Sequence, residues 1–540
     1  MRMRLMTGVA AAALLLAVAS PAFADPKQGG TLTETFKDDV STLDPAIGYD
    51  WENWSMIKSL FSRLMDYKPG TTQLTPDLAT SYDISPDGLT YTFHLRKGVK
   101  FHNGREMTAD DVAYSYNRTV DPKTQSPGQG FFKSIAGYDD AAAGKAPGMS
   151  GIKVVDPYTI AITLSKPDAT FLQVVALNFA GVVAKEDVAK WGADYGHHPD
   201  GTGAYYLDNW TLGQELVFKR NTDYYVPGMP YLDELDFKIG AEPLTALLQL
   251  QKGQIDIAGD GIPPASFLSV MNDPEQKKLV VQAPQLETSY LTIKTTMKPF
   301  DDLRVRQAIS VAINKDRIVK IINGRADVAN QPLPPGMPGY DKDYKGYSYD
   351  PDKAKALLAA AKYDSSQSFD LFVYNTDPNP RIAQAIQQDL AAVGMTVNIK
   401  SLDQSVIISG GADPSQEPLI WSGGMGWIAD FPDPSDFYGP ILGCAGAVKG
   451  GWNWSLYCNK DDEVLAAKAD GMVKPEETQA RADLWKQIFD KIQDDAPWVP
   501  VFNEERYTLH SARIGGDPSL FVDPVHVPIN YNAVYATDAQ

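Results

Sequence analysis

From Leu89 to Leu95 the chain alternates: Leu89, Tyr91, Phe93 and Leu95 are apolar, and Thr90, Thr92 and His94 stand between them. A period of two places the two sets on opposite faces and predicts a half-buried strand. Turn dipeptides Asp87-Gly88, Lys97-Gly98 and Asn103-Gly104 punctuate the segment, so a β-hairpin or meander is expected. At "MTADDVAYSYNR" the period changes. Thr108 with Asp111 three residues later forms a capping box, and Val112 and Tyr116 follow at helical spacing.

Strand-like and helix-like patterns continue to succeed one another. "TGAYYLDNWTLGQELVFKRN" reads as strand, turn, strand. "EPLTALLQLQKGQIDIAGD" reads as an amphipathic helix ending near Gly253, then a short apolar strand. "VRQAISVAINKDRIVKII" is helical, with Val305, Ile309, Ala312 and Ile313 on one side. "PRIAQAIQQDLAAVGMTVNIKSL" predicts a helix stopped at Gly394 and a strand after it. "ARADLWKQIFDKIQDDAPWVPVF" predicts a helix broken by Pro497, then a strand. The class is mixed α/β, and neither a short-period repeat nor a low-complexity segment interrupts it.

The first residues set the compartment. Arg2 and Arg4 precede an apolar run shorter than the ~20 residues of a membrane span. Ala22-Phe23-Ala24 then offers a small-x-small cleavage site, so residues 1–24 read as a secretory signal peptide cleaved after Ala24. The segment has no cysteine for a lipid anchor, which favours a free periplasmic protein. Removing it takes away two arginines and no acids, leaving 47 bases against 68 acids, net −21, from the whole-chain value of −19. That charge disfavours nucleic acid and anionic membranes and suits cationic or zwitterionic partners. A mature chain of this length exceeds what one core can use, so about two or three domains are expected.

The two cysteines, Cys444 and Cys458, lie close together in an exported chain, and a disulfide is the simplest reading. The alternative is a metal pair, but no His or Cys is near enough in sequence to complete a tetrahedral set.

"WIADFPDP", Trp427 to Pro434, combines aromatics, carboxylates and prolines. The prolines push Asp430 toward a strand end or a loop. Two readings stand side by side: an ordinary turn aspartate, or a fixed negative charge beside an aromatic wall, placed to meet a cation.

Six blocks in order carry a resemblance that bears on this choice: "LDPAIGYDWEN", "DGLTYTFHLRKGVKFHNGREMTADDVAYSYNR", "GTGAYYLDNWTLGQELVFKRNTDYYVPGMPYLDELDF", "ALLQLQKGQIDI", "PFDDLRVRQAISVAINKDRI" and "MGWIADFPDPSDF". Across essentially the whole mature chain the sequence resembles the solute-binding proteins of the peptide/nickel class, the periplasmic receptors of ABC importers. The resemblance implies a two-lobed periplasmic-binding-protein fold with an additional third domain. The implied division is first lobe 25–60, additional α/β domain 61–195, first lobe again 196–284, second lobe 285–500, and a return to the first lobe at 501–540. Ligand would be held in the interlobe cleft and passed to the membrane permease, by a monomer without cofactor, metal or catalytic residue.

In peptide-binding members the aspartate of the W-x-x-D segment pairs with the ligand's α-ammonium, which implies that role for Asp430, with Trp427 as pocket aromatic. Gly423, Gly424 and Gly426 would let backbone approach the ligand, and Met425 would be wall or packing. Tyr49 and Trp51, with Trp54, fall in the loop after the first strand, where the other lobe reaches the cleft; each could equally be core. Trp421 and Tyr374 are candidate pocket or hinge aromatics. One departure bears on specificity: dipeptide binders carry a carboxylate-clamping arginine ahead of the helix that begins here near Pro380, and this chain has Asp377 there, with Arg381 on the first turn. The solute expected is therefore a longer peptide or another amine-bearing compound, with an opine, an oligosaccharide, nickel or haem as alternatives inside the family. An exported hydrolase is the alternative outside it, but neither a GxSxG elbow nor an HExxH pair is present.

Overall fold

The computed structural model of the protein describes residues 26–411, 413, 415–416, 418–423, 426–525 and 529–537. The expected signal peptide, residues 1–24, and the candidate Met425 lie outside the described residues.

Three main sheets organise the chain. The first has five strands in the order Ile257–Ala258, Thr31–Phe36, Glu234–Ile239, Glu215–Arg220, Tyr205–Thr211. Its two parallel pairings flank Thr31–Phe36, and the last two are antiparallel. The second has four antiparallel strands, Ala79–Ile84, Thr90–Leu95, Thr159–Thr163 and Ile152–Asp156. The alternating segment is a strand whose Tyr91, Phe93 and Leu95 are buried. Thr108 and Asp111 form the expected capping box for helix Ala109–Val120, which seats Val112, Tyr116 and Val120 in the same core.

The third sheet has eight strands, with helices packed around it. The stretch after Val305, expected as one helix, is two: Leu303–Ala312 and Lys315–Ile321. Asn314 separates them because its side chain accepts a hydrogen bond from the Arg317 amide at 3.0 Å, starting a new helix there. Helix Thr478–Asp495 ends with Ala496 in the left-handed region at φ 50°, and Pro497 follows.

Two segments cross between the lobes. The chain leaves the first lobe through Val280–Pro284 and Glu287–Ile293 and returns along the twelve-residue strand Trp498–Leu509. They run antiparallel, with Val280 opposite Leu509, Pro284 opposite Glu505 and Ser289 opposite Phe502. These paired strands are a connection between the two parts of the chain.

Away from the crossing strands the two parts also touch. Phe431 belongs to the core around the four-stranded sheet, with its ring 6.2 Å from that of Phe131. The Ala169 amide donates to the Asp470 carbonyl at 2.8 Å. Cys444 and Cys458 are bonded to each other.

Candidate ligand-binding cleft

The lobes enclose a cavity of about 590 Å³. Strand Thr31–Phe36 contributes Glu34 to its wall. Leu32 and Phe36, two residues to either side of Glu34, are buried in the core of the five-stranded sheet. Glu34 therefore occupies a position that the period of two assigns to an apolar residue. Its Oε2 accepts a hydrogen bond from the Tyr531 hydroxyl at 2.5 Å, and its Oε1 has no hydrogen-bond partner. Burial pushes its carboxyl up to about 8, because a charge away from water is costly.

The crossing strands supply the floor. Glu287 Oε1 accepts from the Ser289 hydroxyl at 2.7 Å, and its Oε2 accepts from the Glu504 amide at 2.9 Å. Burial, and then the neighbouring Glu504, raise the Glu287 carboxyl to about 8. Glu504 pairs with Arg325 at 3.3 Å. Arg506 is on the same wall, and burial brings its guanidinium down to about 10. With Asp50, Glu52, Asp260 and Glu505, the described residues lining the cavity include seven carboxylate side chains and two guanidiniums, Arg325 and Arg506.

Gly426 is also on the wall. It precedes the short strand Trp427–Ile428, which pairs with Glu287 and Thr288. A Cβ there would stand 2.1 Å from Glu287 Oε1 and 2.8 Å from the Thr288 carbonyl oxygen, so only glycine lets the strands come this close.

Asp430 lies two residues beyond that strand, 5% exposed. Its amide donates to Asp436 Oδ2 at 3.0 Å, and its Oδ1 accepts from the Tyr49 hydroxyl at 2.8 Å. Asp436 sits on helix Pro434–Tyr438, which Asp433 caps through the Ser435 amide. Asp433 is in turn held by Arg481 through two contacts of 2.8 Å. Burial raises Asp430 to about 7, against the lowering effect of its hydrogen bonds, and burial and then the Asp430 charge hold Asp436 well above the carboxylate range.

The remaining sequence candidates divide. Tyr49 lines the cavity, packed against Trp54 and Phe179 with ring centroids at 5.5 and 5.2 Å. Trp51 begins helix Trp51–Leu60 nearby. Trp427 donates its indole N–H to Asp436 Oδ2 at 3.1 Å, and neither it nor Asp430 is among the residues lining the cavity. Trp421 is fully buried, with its indole N–H on Asn379 Oδ1 at 2.9 Å and its ring against Phe502, inside the second-lobe core and off the cavity wall. Tyr374 closes strand Ser368–Tyr374 and packs against the Ile407, Ile420 and Trp454 cluster, also off the wall. Arg381 is held by Asp377 through two contacts of 2.7 Å and is half exposed outside the cavity.

The acidic wall escaped the sequence reading. Its one local signal was Glu34, a charged residue where strand alternation calls for an apolar one.

The sequence model described as "Bacterial extracellular solute-binding proteins, family 5 Middle" matches residues 73–449. The chain is 33% identical over 461 residues to the dipeptide-binding protein of Escherichia coli K12, covering 81% of this chain and 82% of that protein. It is 32% identical over 496 residues to heme-binding protein A of Haemophilus influenzae, covering 88% and 86%. Among solved structures it resembles the periplasmic binding protein DppA from Helicobacter pylori in complex with peptide STSA. The TM-score is 0.80 at 29% identity, over 94% of this chain and 98% of that one.

Proposed function

The chain belongs to the bacterial extracellular solute-binding proteins of family 5, and from that premise we propose that it captures a peptide in the interlobe cleft and delivers it unaltered to the permease of an ABC importer. The family is periplasmic, and residues 1–24 serve as the signal peptide, removed after Ala24. The lobes are 25–60, 196–284 and 501–540 against 285–500, with 61–195 as the additional domain; the three sheets support this division.

The observation that carries the reading is the cavity itself, walled by both lobes and floored by the paired crossing strands. Closure adds second-lobe contacts to a ligand already seated on the first, so ligand stabilises the closed form, which the permease recognises. Asp430 answers the peptide's ammonium, displacing the Tyr49 hydroxyl. Arg325, whose Nε has no hydrogen-bond partner, answers the terminal carboxylate in place of the missing clamp. The acidic wall favours this reading over haem, whose two propionates would meet seven carboxylates.

Native mass spectrometry of the purified protein tests it. A retained peptide, released intact on denaturation, is the expected result. Recovery of haem, or of a cleaved ligand, would overturn the reading.

A further inference from the structure

Resting on the reading of the cleft as the ligand site, we propose that the solute carries a second cationic group, the side chain of a basic peptide, seated against Glu34. Two independent observations converge on this. The described residues of the wall include seven carboxylates against two guanidiniums, Arg325 and Arg506. Separately, Glu34 is fully buried on the wall with one carboxylate oxygen bonded to Tyr531 and the other without a hydrogen-bond partner.

A purely structural glutamate accounts for this poorly. Tyr531 uses one oxygen only, and an unanswered acceptor away from water costs free energy that an apolar residue would avoid. Arg506 lies near enough for its charge to favour the ionised form of Glu34, yet burial outweighs it and holds the carboxyl up at about 8. An ammonium or guanidinium arriving beside Oε1 supplies the missing donor and stabilises the ionised form. Glu52 and Asp260, from the same lobe, add attraction at the same wall. The peptide's own ammonium goes to Asp430 on the second lobe, so a basic peptide engages acids of both lobes at once.

Titration calorimetry with tripeptides of equal length tests the inference: one containing lysine, one wholly neutral, one containing glutamate, with 1,5-diaminopentane as a cation lacking a peptide bond. The lysine peptide should bind at least about tenfold more tightly than the neutral one, a difference of ~1.4 kcal/mol, and the glutamate peptide more weakly than either. In Glu34→Gln the lysine-to-neutral ratio should fall by about tenfold; Glu52→Gln, at a more exposed position, provides a second reading if the first variant folds poorly. Equal affinity for lysine and neutral peptides overturns the inference and leaves the peptide reading intact. A ratio untouched by both substitutions overturns the assignment to this wall. Tight binding of the diamine with none of any peptide overturns the peptide reading and supports the charge preference.

Discussion

The Tyr49 hydroxyl donates to Asp430 Oδ1 at 2.8 Å, tying a residue of the cavity wall to one 381 positions away in the chain. In the binding role proposed above, a ligand ammonium would take this hydroxyl's place on Asp430.

Asp430→Asn keeps the shape and removes the charge. Breaking a desolvated, hydrogen-bonded charge pair costs about 2–5 kcal/mol, so affinity for an amine-bearing peptide should fall by roughly 30-fold or more. The control is the same peptide with its amine acetylated. Wild type should lose most of its affinity for it, and the variant should scarcely distinguish the two. A variant that discriminates as well as wild type would remove Asp430 from the binding role.

Gly426→Ala places a methyl group where Glu287 Oε1 and the Thr288 carbonyl already stand. Overpacking of this kind costs about 1–3 kcal/mol. The melting temperature should fall, and ligand binding should weaken because the displaced strand carries the wall toward Asp430. An unchanged melting curve would mean that the two strands separate without penalty.

Cys444 and Cys458 close a loop with a sequence separation of 14. Thiol labelling of denatured, unreduced protein should find neither free. Replacing both by serine should destabilise by roughly 3 kcal/mol in the chain-entropy account, read by denaturant unfolding. Quantitative labelling of both cysteines in the unreduced protein would contradict the bond.

Between pH 6.5 and 8 the folded protein should lose stability as pH rises. Burial lifts Glu34 and Glu287 to about 8, and Asp430, Asp470 and Asp200 to about 7. Each raised carboxyl binds its proton in the folded chain and not in the unfolded one across this window. The stabilisation is complete below the unfolded value and is lost as pH climbs through the folded one. Half-buried His102, lowered to about 4, acts in the opposite sense but below the window, and Lys315, lowered to about 8, does so mainly above it. Thermal melts should give a higher midpoint at pH 6.5 than at pH 8, with a shallower slope in Glu287→Gln. A midpoint that rises over this interval would show that these acids are ionised in the fold.

Elements whose information is local were legible in the chain. The alternation of Tyr91, Phe93 and Leu95, the cap of Thr108 and Asp111, and the disruption at Pro497 each act within a few residues, through dihedral preference, hydrogen bonding and burial. Ordered motifs likewise carried the family, and with it the expectation of two lobes. The acidic wall was not legible. Glu34, Glu287 and Glu504 are hundreds of residues apart, and their carboxyl groups come onto one wall only when the five-stranded sheet meets the paired crossing strands. The same holds for the aromatics: Tyr49 and Trp421 both look like pocket residues in one dimension, but the fold turns one to the cavity and the other to Asn379 and Phe502. Periodicity tells a strand's two faces apart, but which face meets a core and which a cleft depends on what packs there, and that is settled by contacts far apart in the chain.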